Sequence, residues 1–153
     1  RRKEKQITEL REIEAVIART SILHLALADQ DEPYGVPMNF GYAHGVFYIH
    51  GAGEGRKMEI LGRNNRVCIA LYARAEVKPA AVPCAFGMQY ESVVGFGRAE
   101  IVTDLAEKID GLRSIFRQAG VNPAMVADFN AKHLDKTLVL RINPQTLTGK
   151  RSG

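Results

Sequence analysis

Apolar residues follow a helical period in a few stretches of the chain and an alternating period in most of the rest. Ile7, Leu10, Ile13, Val16 and Ile17 recur every three or four residues with Glu and Arg between them, the pattern of an amphipathic helix that Thr8 is placed to cap. Residues 22–27 and 34–42 read as extended runs joined by the polar turn Asp29-Gln30-Asp31-Glu32-Pro33, a hairpin. Pro37 has no N–H for a ladder, so its strand is expected at an edge, or with a bulge where something other than protein approaches the backbone. Ala43-His44-Gly45 is a second tight turn, and Val46-Phe47-Tyr48-Ile49-His50 has the aromatic and β-branched content of a third strand. A short helix is expected around 57–61, a fourth strand over 66–72, and a looser segment rich in Ala and Pro over 73–85.

The next run, 88–102, would place Tyr90, Ser92, Val94 and Phe96 on one face and Glu91, Val93, Gly95 and Gly97 on the other, its glycines marking a bend or bulge. Asp104 followed by Glu107 signals a helix start, with Leu105, Ile109, Leu112, Ile115 and Phe116 as the buried stripe and Gly120 as the stop. Asn122-Pro123 opens another helix, and 137–142 is the last clear strand. Six short strands joined by turns, with helices confined to a few connections, predict a mainly β fold with peripheral α: an antiparallel sheet curled into a barrel.

Length and composition add bounds to this picture. A chain of 153 residues with 46% hydrophobic and 25% charged residues is the size of one globular domain, 1–153, able to bury a core without staples. The apolar runs are too short to cross a bilayer as helices, and Arg1 begins with neither Met nor a leader-like core, as a trimmed terminus would. Cys68 and Cys84 form no CxxC pair, and reduced thiols point to a reducing, cytoplasmic compartment; Cys68 inside Val67-Cys68-Ile69-Ala70-Leu71 reads as a small core filler. The net charge of +4 is interleaved with acidic residues, which argues against a nucleic-acid partner and suits an anionic ligand equally well.

Candidate chemistry concentrates in His50-Gly51-Ala52-Gly53-Glu54-Gly55-Arg56-Lys57. There a strand ends, three glycines allow close backbone approach, and two cations open a helix, the outline of an anion site. The spacing is neither the GxxxxGK[ST] of nucleoside triphosphate loops nor a GxGxxG, and a solvated connection explains the loop about as well as a phosphate does. The four histidines have no metal-ligand spacing; His24 reads as packed or hydrogen-bonded core, and His44 and His133 as solvated.

Taken in order, Tyr34-Gly35-Val36-Pro37-Met38-Asn39-Phe40, the strand and loop from Val46 to Lys57, Asn64-Asn65-Arg66-Val67, the run from Met88 to Ala99 and Leu147-Thr148-Gly149-Lys150 resemble the pyridoxamine-phosphate-oxidase-like FMN-binding family. Within it, the nitroimidazole-resistance subgroup is most similar, and the resemblance covers nearly the whole chain. It implies a split β-barrel of the FMN-binding type, assembled as a homodimer with the flavin at the interface. It further implies that Arg56 and Lys57 grip the FMN phosphate, and that backbone around Pro37, Met38 and Asn39 and around Ile49, His50, Gly51 and Ala52 borders the flavin. Gly51 stands where many relatives have Ser, so backbone N–H replaces one hydroxyl contact.

By the same resemblance Tyr90 and Ser92 lie near the flavin and the dimer partner, although ordinary sheet packing also accounts for Tyr90. Lys150 matches a position near the flavin ring, expected just after the final strand, and His50 matches an active-site histidine that would orient the acceptor or donate a proton. Phe86 and Met88 could line an apolar substrate pocket, or be core. The expected activity is flavin-dependent reduction of a small planar aromatic acceptor, with a reduced nicotinamide or another electron donor. The alternatives are a pyridoxamine-phosphate-type oxidase, which would need further cations from Arg98, Arg141, Lys150 or Arg151, and a non-enzymatic flavin or haem binder in which His50 would ligate iron.

Overall fold

The computed structural model describes residues 3–122, 134 and 137–153. Its elements run β1 (Gln6–Ile7), α1 (Leu10–Ile17), β2 (Ile22–Asp29), β3 (Glu32–Ala43), β4 (Val46–Gly51), α2 (Arg56–Arg63), β5 (Arg66–Lys78), β6 (Gly87–Ile101), α3 (Leu105–Gln118) and β7 (Leu138–Ser152). The six expected strands pair antiparallel in the order β7-β4-β3-β2-β5-β6, and β6 returns to β7 to close the ring. The helix suggested at Asn122-Pro123 and the histidine at 133 lie outside the described residues.

Local chemistry explains the turns. Asp29 pairs with Glu32 across a two-residue hairpin in which Gln30 takes φ 56°. His44 and Gly45 both have positive φ, 51° and 81°, as a two-residue hairpin matched to strand twist requires. Pro37 pairs with His24 on one side, and the β3–β4 ladder starts only at Phe40, so the first half of β3 is an edge toward β4 and the missing N–H costs nothing there.

The inward faces of the ring carry Leu23, Leu25, Leu27, Phe40, Phe47, Ile49, Val67, Ile69, Val93 and Ile142, all buried in one core. Helix α1 adds Ile13, Val16 and Ile17 to that core, and α2 adds Ile60. Helix α3 packs outside the barrel on β3 and β4, with Leu112 and Ile115 over Val139. Its start matches the sequence signal, the Asp104 carboxylate accepting from the Glu107 N–H at 2.7 Å.

Several expectations are corrected. Ile7 belongs to β1, where it pairs with Gly149 and is buried, so α1 begins only at Leu10; Glu9 precedes it without a side-chain cap, and Thr8 does not cap it. Leu105 is exposed, outside the buried stripe of α3. The segment expected to be loose after Tyr72 continues as strand to Lys78 and pairs with Gly87 to Tyr90, forming a hairpin arm. Likewise β7 extends to Ser152, so Lys150 lies inside the strand rather than after it. His24 and Cys68 are not core: Leu23, Leu25 and Leu27 take the inward positions of β2, and the alternation turns His24 and its neighbours outward.

Candidate functional site

The outward face of the barrel places Asn39, His50, Ser92 and Lys150 in a single cross-strand row. His50 on β4 lies one step beyond the Phe40–Ile49 pair and so faces Asn39 on β3, which pairs with Ile22 on β2. Continuing the His24–Ala70 register sets Ile22 opposite Tyr72 on β5; Tyr72 pairs with Ser92 on β6, and Ser92 with Lys150 on β7. Pro37 stands beside Asn39 on this face and Tyr90 beside Ser92, whereas Ile49 points into the core and contributes backbone only.

The two ends of the row do not meet within one chain. His50 pairs with Val139 of β7, but the circuit returns to β7 at Lys150, eleven positions away, roughly 35 Å of extended strand. One of those positions is Gln145, an extra residue where Phe96 and Gly97 face Thr146 and Pro144. This bulge switches which β7 side chains face outward, and it turns Lys150 to the same side as Ser92.

Lys57 lies at the same end of the barrel as His50 but on the inner side of the sheet, because Met38 and Gly51 share the inward face of Phe40 and Ile49. Its Nζ lies 4.0 Å from the Met38 Sδ, and a Cβ built on Gly51 would stand 2.8 Å from the same nitrogen. The absence of a side chain at Gly51 is therefore what lets this ammonium cross the end of β4. Burial pushes the Lys57 pKa down, and no carboxylate pairs with it among the described residues. Arg56, next in the chain, turns away: its guanidinium bonds Glu32 at 2.7 Å and lies 5.4 Å from the Tyr34 ring centroid. The two expected anchors thus point to different places: Arg56 is paired with Glu32, and Lys57 has no carboxylate partner among the described residues. Gly55, with φ 96°, sets the start of α2, and Ala52 is exposed beside it.

The other end gathers Tyr90, Ser92 and Lys150 on the β6–β7 ladder and adds a residue that sequence reasoning missed. Lys5 donates to the Ser152 Oγ at 2.8 Å and lies 5.8 Å from the Tyr90 ring centroid, because β1 pairs Gln6 with Lys150. The available signal was Ile7, read as helix. Between the two ends, the open face of β2, β5 and β6 shows Ile22, Ala26, Ala70, Tyr72, Val94 and Phe96, with Ile22, Tyr72 and Phe96 strongly exposed. Phe86 and Met88 are exposed on the arm rather than buried. Cys68 is half-buried on this outer face, with its thiol pKa raised by burial, and Cys84 is exposed.

Among the described residues no group of three or more His, Cys, Asp or Glu is placed to hold a metal ion, and no helix is long and apolar enough to cross a membrane.

Comparison with known proteins follows this geometry. A candidate 5-nitroimidazole antibiotic resistance protein from Bacteroides thetaiotaomicron superposes with a TM-score of 0.83 at 29% identity, over 95% of this chain and 85% of that one. The flavocytochrome Anf3 from Azotobacter vinelandii gives 0.86 at 21% identity over 100% and 72% of the two chains. An FAD- and haem-binding protein from Mycobacterium smegmatis gives 0.86 at 21% over 97% and 73%. No curated protein matches. The family described as pyridoxamine 5'-phosphate oxidase matches residues 9–151, and with nearly the whole barrel inside that span the chain belongs to this family.

Proposed function

We propose that the chain is an FMN-dependent oxidoreductase that works as a homodimer and reduces small aromatic acceptors, with 5-nitroimidazoles as the leading class. The observation that carries this reading is Lys57, a half-buried ammonium without a carboxylate partner among the described residues, at the β3–β4 end of the barrel between Met38 and Gly51. An anion of the FMN phosphate type fits such a group, since the cost of partly desolvating the cation is offset only when an anion arrives. Arg56 contributes a second contact only by releasing Glu32. The flavin ring fits against the exposed backbone edge of β3 at Pro37 and Asn39 and the end of β4 at His50, Gly51 and Ala52.

When bound, FMN supplies the reversible two-electron chemistry that the side chains of this chain lack. The residues themselves bind, orient and exclude water. Lys57 holds the phosphate; Ile22 and Tyr72 offer an apolar surface that keeps water from the ring. His50, exposed beside Asn39, would orient the acceptor or donate a proton to it.

The separation of the two ends supports the dimer. Tyr90, Ser92 and Lys150 can join Lys57 and His50 only if a second copy places its β6–β7 end against this copy's β3–β4 end, an isologous arrangement that also covers the apolar face. The family description favours an oxidase of pyridoxamine-phosphate-like substrates as the second reading. It needs a second phosphate site, and the arginines available for one are engaged: Arg98 on Asn65, Arg141 on Glu100 and Glu107, Arg151 on Glu91 and Glu12.

The test is anaerobic reduction of the FMN-loaded protein followed by addition of a nitroimidazole. Reoxidation of the flavin spectrum by the nitro compound supports the reductase; reoxidation by oxygen alone, with pyridoxamine phosphate as reductant, supports the oxidase.

A further inference from the structure

We infer that Lys5 is a specificity residue: with Lys150 it forms a cationic subsite that takes an oxyanion, carboxylate or phosphate, carried by an aromatic ligand of the outer face. The inference rests on the reading of that face as the ligand site, and it adds a residue that neither the sequence signals nor the family resemblance marks.

Lys5 is held in place rather than trailing from a terminus. Ile7, two residues on, is buried, and its strand pairs with Gly149 and Lys150. Gly149 is the partner this packing requires, since a Cβ there would stand 2.8 Å from the Ile7 Cβ. The half-buried Lys5 side chain is fixed at its tip by the Ser152 hydroxyl, 2.8 Å away, beside the Tyr90 ring.

The charge balance around it is uneven. Glu91 is engaged by both Arg19 and Arg151, and Glu12 by Arg151. Neither Lys5 nor Lys150 has a carboxylate partner among the described residues; Lys5 immediately precedes β1, whose first residue Gln6 pairs with Lys150. Lys5 beside the Tyr90 ring and the exposed Lys150, paired with Ser92 two residues along β6 from Tyr90, put two positive charges at this end of the sheet, and an anion would relieve their repulsion. An aromatic ligand satisfies both features, its ring against Tyr90 and its oxyanion between the lysines. In the dimer, this end of one copy faces the flavin end of the other, so the subsite would select acceptors or donors that carry negative charge.

The test measures binding to the purified protein by calorimetry with three probes of one ring size: 4-nitrobenzoate, 4-nitrophenyl phosphate and the neutral 4-nitrobenzamide. Wild type should bind at least one anion about tenfold more tightly than the amide, and Lys5→Met should abolish that preference while Lys5→Arg keeps it. The stronger anionic probe identifies the oxyanion. Equal binding of all three probes by wild type, or a preference unchanged in Lys5→Met with an unchanged melting temperature, overturns the inference. FMN titration of the same samples is a separate reading: wild-type protein that takes up no FMN overturns the flavin proposal whatever the probe ratio shows.

Discussion

Arg56 and Lys57 are neighbours in the chain, yet helix geometry sends their side chains to different places. Arg56 is tied to Glu32 at the exposed rim, where solvent screens the ion pair and the carboxylate competes with a phosphate for the guanidinium. Lys57 reaches over Gly51 with only a thioether near its nitrogen. Replacing Lys57 by Ala should therefore weaken FMN binding by about tenfold or more, and replacing Arg56 by Ala should weaken it less, as read by fluorescence titration. Equal losses in the two variants would contradict the division of roles.

A second effect at this scale concerns stability. The Tyr42 phenol is pushed up to about 12 by burial and by the Glu14 carboxylate that accepts its hydrogen bond at 3.2 Å. Because the folded pKa is above the unfolded value, the associated stability is complete below about pH 10 and is lost as pH rises toward 12. Discounted for partial exposure, it amounts to about 1 kcal/mol. Denaturant melts at pH 9 and pH 11.5 should show this loss in wild type and its absence in Tyr42→Phe.

Among the elements, helix α3 depends on one glycine in the sheet below it. A Cβ at Gly41 would overlap the Ser114 Oγ and the Ile115 backbone N–H, and backbone cannot move aside as a side-chain tip can. Gly41→Ala should undock α3 and lower the melting temperature by several degrees, because the change costs roughly 1–3 kcal/mol. A variant that melts with wild type would show that α3 does not pack there.

The elements also show where sequence patterning was informative. Strand-forming content, bounding turns and, over 88–102, alternation located all six barrel strands, the turn at His44-Gly45 marked a hairpin, and the Asp104 cap marked the start of α3. The errors share a cause: strand ends that pair with distant chain. Ile7 has the spacing of a helix residue but is claimed by Gly149, and residues 73–78 lack strong strand formers but are held by the partner strand 87–91. His24 was misplaced because its apolar neighbours Leu23 and Leu25 suggested a buried run, whereas alternation buries only one face.

Over the whole molecule, the barrel brings six strands' worth of outward residues into one row, and the winding of that row sets its ends far apart. The phosphate end was legible as a glycine loop with two cations, although not that one of them would be spoken for by Glu32. The cationic end was legible only in part, since Lys5 reaches Ser152 through a pairing of the first strand with the last. The separation gives the proposed homodimer a physical reason: each copy would hold two half-sites, and a two-fold partner would complete both.

The proposed function depends on the β3–β4 end of the barrel taking up a flavin phosphate at Lys57. The direct measurement is a titration of the folded protein with FMN, followed by flavin fluorescence with the stoichiometry read per chain. Saturable quenching at one FMN per chain, reduced in Lys57→Ala, is the expected result. No uptake by the folded wild-type protein, or uptake that Lys57→Ala leaves unchanged, would contradict it.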